Sequence, residues 1–161
     1  MATKAIPDGY HTVSPYLAVE DAASAIDYYV SAFGAKEVVR MDAPGGKIGH
    51  AELEVGDSRI MLSDPFPGGS TQPPKQLGGT SVSVFMYVED VDAVVQRAVE
   101  AGATVTMDVA DQFWGDRFGA ITDPFGHVWS IATHVEDVPA EEMAERAKAA
   151  MAAMGSDSGP A

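Results

Sequence analysis

The chain has no cysteine in 161 residues. That removes disulfides, thiolate metal sites and cysteine nucleophiles together, so any metal would need histidine and carboxylate ligands. Positive charge is scarce as well: ten Lys and Arg stand against 24 Asp and Glu, a formal net charge of −14. Such a surface repels phosphate backbones and lacks the basic footprint of nucleic-acid binding, which excludes DNA and RNA as expected partners. No apolar run approaches the roughly 20 residues of a membrane helix, and "MATKAIPDGYH" has no apolar stretch of secretory length. The expectation is a cytoplasmic protein with no membrane partner.

What the sequence does contain is written twice. "LAVEDAASAI" at 17–26 and "MYVEDVDAVV" at 86–95 share a V-E-D step 69 residues apart. Each V-E-D follows an alternating, strand-like run, "HTVSPYLAV" or "TSVSVFMYV", and precedes an amphipathic helical run. Asp21 and Asp90 stand where helix N-caps belong, and Gly34 and Gly102 where a helix ends in a left-handed residue. Three short strands follow each helix: 36–42, 49–56 and 58–63 in the first half, then 103–109, 117–122 and 127–134 in the second. The unit is βαβββ, repeated.

This predicts an α+β fold in six parts. An N-terminal arm spans 1–10, a first βαβββ module 11–63, and a Pro/Gly-rich linker 64–79. A second module follows at 80–135, then a C-terminal helix at 136–154 and a disordered tail at 155–161. Eight of the sixteen linker residues are Pro or Gly, so the reading there is a simple connection, with a lid as the alternative. Met143, Ala147, Met151 and Met154 fall at helical spacing, a stripe suited to covering the body or a second subunit.

Strand parity assigns the faces. Leu17, Val19, Val84, Met86, Ile60, Leu62, Trp129 and Ile131 turn toward the helices. Ser14, Tyr16, Ser83, Phe85, Met61 and Ser130 turn to the other side, a mixture of hydroxyls and aromatics suited to a cavity for a partly apolar small molecule. His127 and His134, in "DPFGHVWSIATH", are separated by an odd number and project from opposite faces. They cannot grip one metal from this strand, and His127 reads as structural.

The duplicated βαβββ, the V-E-D openings and the final "DPFGHVW" hairpin resemble the vicinal oxygen chelate superfamily of glyoxalases, bleomycin-resistance proteins and dioxygenases. "IGHAELEVGDSRIMLSD" and "DQFWGDRFGAITDPFGHVWSIATH" look like its PhnB-like branch. The resemblance implies paired modules curved around a cavity, a homodimer, and in many members a divalent metal chelating vicinal oxygens of the substrate. The family's ligand positions, on the first and fourth strand of each module, fall here on Ser14, Met61, Ser83 and Ser130. None is His, Gln or Glu, so no cofactor is expected and the metal of the family's metal-using members is missing its ligands.

Other candidates lie beside these. His50 and Glu52, with Glu54, share one face of the third strand and could form an acid/base pair or an unusual metal site. Trp114 could stack on a flat ligand and Arg117 could meet an anionic one; an Asp116 to Arg117 surface pair is the alternative. The serines have no G-x-S-x-G setting, and "PGGKIG" reads as a hairpin turn. The expected function is a homodimeric protein that binds, and thereby sequesters, a toxic or aromatic small molecule. The alternative is a lyase, isomerase or dioxygenase using non-standard metal ligands or metal-free acid/base catalysis.

Overall fold

A computed structural model describes residues 3–156 of the chain, with side chains through Met154. In chain order the elements are β1 (Tyr16–Ala18), α1 (Ala22–Phe33), β2 (Lys36–Ala43), β3 (Lys47–Val55) and β4 (Ser58–Ser63). A four-residue helix α2 (Pro74–Leu77) follows, then β5 (Ser83–Tyr87), α3 (Val91–Glu100), β6 (Thr104–Asp111), β7 (Asp116–Thr122), β8 (Val128–His134) and α4 (Ala140–Ser156). The repeat is thus real at the level of elements. It is also real in topology: two separate four-stranded sheets have the orders β1-β4-β3-β2 and β5-β8-β7-β6. In each, only the first and fourth strands run parallel, as a strand-helix crossover requires.

The V-E-D step works the same way in both halves. Its aspartate caps the helix that follows the strand: Asp21 accepts from Ser24 N–H at 3.2 Å, and Asp90 from Ala93 N–H at 3.0 Å. Register repeats too, since Tyr16 pairs with Met61 and Phe85, 69 residues on, pairs with Ser130. The third strands depart from that offset. Glu52 faces Met61, whereas Ala120, 68 residues beyond Glu52, faces Ser130. Between these equivalent pairs the β7–β8 connection is thus one residue longer, and its turn runs over five residues, 123–127, where β3 and β4 are joined by the tight Gly56–Asp57 turn.

The apolar faces of both sheets close on the helices to make one core shared by the two modules, from Leu17, Ile26, Tyr29, Leu53 and Leu62 to Val91, Val95, Ile121, Trp129 and Ile131. Phe33 of α1 lies 4.6 Å, ring to ring, from Trp129 of β8. Tyr29 donates its hydroxyl proton across the boundary to Asp123 at 2.7 Å. Asp123, almost fully buried, also accepts from Trp129 Nε1–H at 2.9 Å and from the N–H groups of Phe125 and His127. The longer turn thus closes itself and ties the halves together.

The linker is more than a connection. Pro74 is buried, and a Cβ added to Gly126 would come within 3.0 Å of its side chain, so α2 rests on the β7–β8 turn. Met151 and Met154, at the end of α4, are exposed, so this part of the methionine stripe does not cover the body. Arg146 of that helix pairs with Glu136 at 2.6 Å and reaches the Phe113 carbonyl oxygen at 3.5 Å, while its pair with Glu142 at 2.7 Å stays within the helix. Of the expected disordered tail, residues 157–161 lie outside the described residues, and 155–156 belong to α4. No described helix is long and apolar enough to cross a membrane.

Candidate functional site

Each module leaves one sheet face away from the core, and the two faces are chemically different. On the first, parity sets Tyr16 of β1, Arg59 and Met61 of β4, and His50, Glu52 and Glu54 of β3 together. The N-terminal arm crosses above them. Tyr10 donates its hydroxyl proton to Glu52 Oε2, and its ring lies 5.3 Å from the Arg59 guanidinium carbon. His11 Nε2 reaches the Asp57 carbonyl oxygen at 3.0 Å. Between arm and sheet lies a cavity of about 580 Å³, walled by Ile6, Pro7, Tyr10, Ser14, Tyr16 and Met61.

His50 is the centre of this face. Its Nε2 stands 3.1 Å from Glu52 Oε1 and its Nδ1 2.9 Å from the Tyr16 hydroxyl. Glu52 is only 8% exposed, yet its carboxyl is held below the usual range. The hydrogen bond from Tyr10 is the main cause; burial opposes it, and the bond from His50 and the charges of His50 and Arg59 assist. The carboxylate stays ionised at neutral pH.

The second face is aromatic. Phe85 and Phe118 stack at 5.9 Å, Tyr87 packs 5.1 Å from Phe85, and Trp114 meets the Phe118 edge at 5.9 Å. Beneath them the buried Asp116 accepts three side-chain hydrogen bonds: from Tyr87 Oη at 3.0 Å, Trp114 Nε1 at 3.0 Å and His134 Nδ1 at 2.8 Å. Burial pushes the Asp116 pKa up, but the bonds from His134, Tyr87 and Trp114 outweigh it, and the net direction is down. The loop carrying Trp114 turns at Gly115, whose φ is +96° and whose missing Cβ would fall 2.1 Å from the Glu136 carbonyl oxygen. Only glycine fits there.

The sequence-derived candidates separate clearly. Ser14, Tyr16, Met61, His50 and Glu52 come together on the first face; Ser83, Phe85, Trp114 and Ser130 belong to the second. Arg117 does neither. As the neighbour of a residue facing the aromatics it points to the opposite side, where its guanidinium makes a two-point contact with Asp92 of α3, at 2.6 and 2.8 Å, and a third with Asp111. The alternative, an Asp116 to Arg117 pair, does not form either, for the same reason. His127 donates its Nε2 proton to the Ala18 carbonyl oxygen of β1 at 2.9 Å, a structural tie between modules. The sequence reading missed Asp116 with His134; the odd spacing that turns His134 away from His127 is the available signal.

The metal positions can be tested on the same geometry. Ser83 and Ser130 lie with their hydroxyl oxygens 3.4 Å apart, and Met61 offers only a thioether beside Ser14. Neutral hydroxyls and a thioether do not fit a divalent ion of the zinc or iron type, which needs imidazole or carboxylate donors at about 2 Å. Among the described residues, no group of three or more His, Asp or Glu side chains is gathered closely enough to hold a metal ion.

Residues 10–131 match the sequence profile of the Glyoxalase/Bleomycin resistance protein/Dioxygenase superfamily. The chain belongs to this superfamily. Among its relatives, the Mycobacterium tuberculosis protein Rv0887c is 48% identical over 146 residues, covering 89% of this chain and 84% of that protein. Among solved structures, TioX from Micromonospora sp. ML1 superposes with a TM-score of 0.61 at 29% identity, over 78% of this chain and 99% of TioX. The PhnB protein from Bacillus cereus shares the fold, with a TM-score of 0.60 at 18% identity over 76% of this chain and 99% of that one. This superfamily member thus keeps the paired βαβββ modules, and Ser14, Met61, Ser83 and Ser130 stand where the resemblance implies metal ligands.

Proposed function

We propose that the protein binds a small molecule with a flat aromatic part on the concave face of its second module, and that it does so as a homodimer without the superfamily's divalent metal. The observation that carries this reading is the aromatic face itself. Phe85 is 49% and Tyr87 62% exposed, beside Trp114 and Phe118, and aromatic rings left open over a buried, fully hydrogen-bonded carboxylate suit stacking on a planar partner. A second copy would enclose what one copy leaves half open. Sequestration of a toxic compound is the biological role that such a site fits.

Thermal-shift screening against planar natural products tests the reading. A ligand at 100 times its Kd adds about 2.7 kcal/mol to stability, and Trp114→Ala should weaken its binding about tenfold, or ~1.4 kcal/mol. Silence across a broad panel sinks the proposal. A second reading, a lyase or isomerase working by metal-free acid/base chemistry, is favoured by a different observation: the His50 and Glu52 pair on the first face.

A further inference from the structure

Four side chains on the first face, Tyr10, Glu52, His50 and Tyr16, form an unbroken hydrogen-bonded chain that ends on a phenol at the cavity wall. We infer that Tyr16, positioned by His50 and Glu52, is a proton-transfer residue that takes the proton of an acidic hydroxyl, a phenol or enol, on a small ring-bearing ligand held beneath the N-terminal arm. This rests on the acid/base reading of the first face and is independent of the aromatic face.

The direction of the chain follows from Glu52. An ionised carboxylate only accepts, so it receives the Tyr10 proton on one oxygen and the His50 Nε2 proton on the other. With its proton on Nε2, the neutral imidazole has a lone pair on Nδ1, and the Tyr16 O–H 2.9 Å away must donate to it. Tyr16 therefore turns its hydrogen inward and its oxygen lone pairs toward the cavity. A ligand hydroxyl meets an acceptor there.

Proton transfer balances without a co-reactant. The ligand O–H bond breaks and a new O–H bond forms at Tyr16, while the original Tyr16 O–H bond breaks and an N–H bond forms at His50 Nδ1. The products are a ligand oxyanion, a neutral phenol and an imidazolium facing the Glu52 carboxylate. The order of groups is that of an activated hydroxyl, a base and an orienting carboxylate. Imidazole is a competent base only for acids near its own strength, which selects phenols and enols over alkyl alcohols. Ile6, Pro7 and Met61 supply the apolar walls for the ring.

The repeat supplies an internal control. By register, the second module has Phe85 where the first has Tyr16, Phe118 where it has His50, and Ala120 where it has Glu52. The same fold stands without the chain, so folding alone does not explain it.

The probe is 4-nitrophenol, whose phenolate is yellow. Bound to the wild-type protein at a pH below its own pKa, it should show the phenolate band, with its apparent pKa lowered enough for at least a tenfold gain in ionised fraction. Tyr16→Phe and Glu52→Gln should each keep the far-UV circular dichroism and lose that gain. Nitrogen-15 NMR of the free protein at pH 8 should show the His50 ring carrying its proton on Nε2 rather than on Nδ1. A neutral bound phenol, no binding up to the solubility limit, equal ionisation in Tyr16→Phe, or an Nδ1–H tautomer would each overturn the inference. Loss of binding in Trp114→Ala, with Tyr16→Phe unaffected, would also overturn it while leaving the aromatic-face reading intact.

Discussion

Asp123 carries more of this structure than any other single carboxylate. Four donors converge on it, from Tyr29, Trp129, Phe125 and His127, in a site closed to water. Asp123→Ala strands two buried side-chain donors at once and should cost at least about 3 kcal/mol, read as a fall in the urea midpoint at unchanged m. His134 offers a pH-dependent counterpart. Its pKa is raised, first by the bond to Asp137 and then by that to Asp116. A raised histidine stabilises the fold fully below its unfolded value of about 6.5 and loses that contribution as pH climbs through the higher folded value. Proton NMR should therefore find His134 titrating above an ordinary histidine, and Asp137→Asn should move it back down. Parity made the opposite facing of His127 and His134 legible. The pairing of His134 with Asp116 was not, because it depends on the β7–β8 register that sets those two residues side by side.

At the scale of elements, the helices and strands were readable because alternation, N-cap aspartates and turn glycines all pointed the same way in two copies. The strands after each helix shifted by at most two residues at either end, whereas the first strand, read from the run at 11–19, is only Tyr16–Ala18 because the arm leads into it. The arm was readable only as an arm: "TKAIPDGY" has no periodicity, and its position is set by contacts with Glu52 and Arg59 more than forty residues away. Because Tyr10 is the chief reason the Glu52 pKa is low, Tyr10→Phe should raise it toward an ordinary glutamate. The depressed value stabilises the fold above the unfolded pKa and is lost as pH falls through the folded one. Carboxyl carbon NMR titration checks the shift directly. The Trp114 loop makes a sterner demand. Gly115→Ala combines a positive φ with a Cβ inside van der Waals contact of Glu136, so the loop must move; a loss of about 2 kcal/mol or more, with changed tryptophan fluorescence, is the expected result.

Across the whole molecule, a net charge of −14 on 161 residues leaves the folded state repelling itself. Moderate salt should screen that repulsion, so the melting temperature should rise between low ionic strength and about 0.15 M sodium chloride, where the screening length shortens to about 8 Å. A falling melting temperature would show that the ion pairs of Arg117 and Arg146 outweigh the net repulsion. The bond from Tyr29 to Asp123 has a further consequence at this scale. Since the turn of one repeat is completed by the helix of the other, and the linker rests between them, a chain cut within 64–73 should not come apart. Its two fragments, made separately and mixed, would complement each other, each supplying the half of a shared interior that the other lacks.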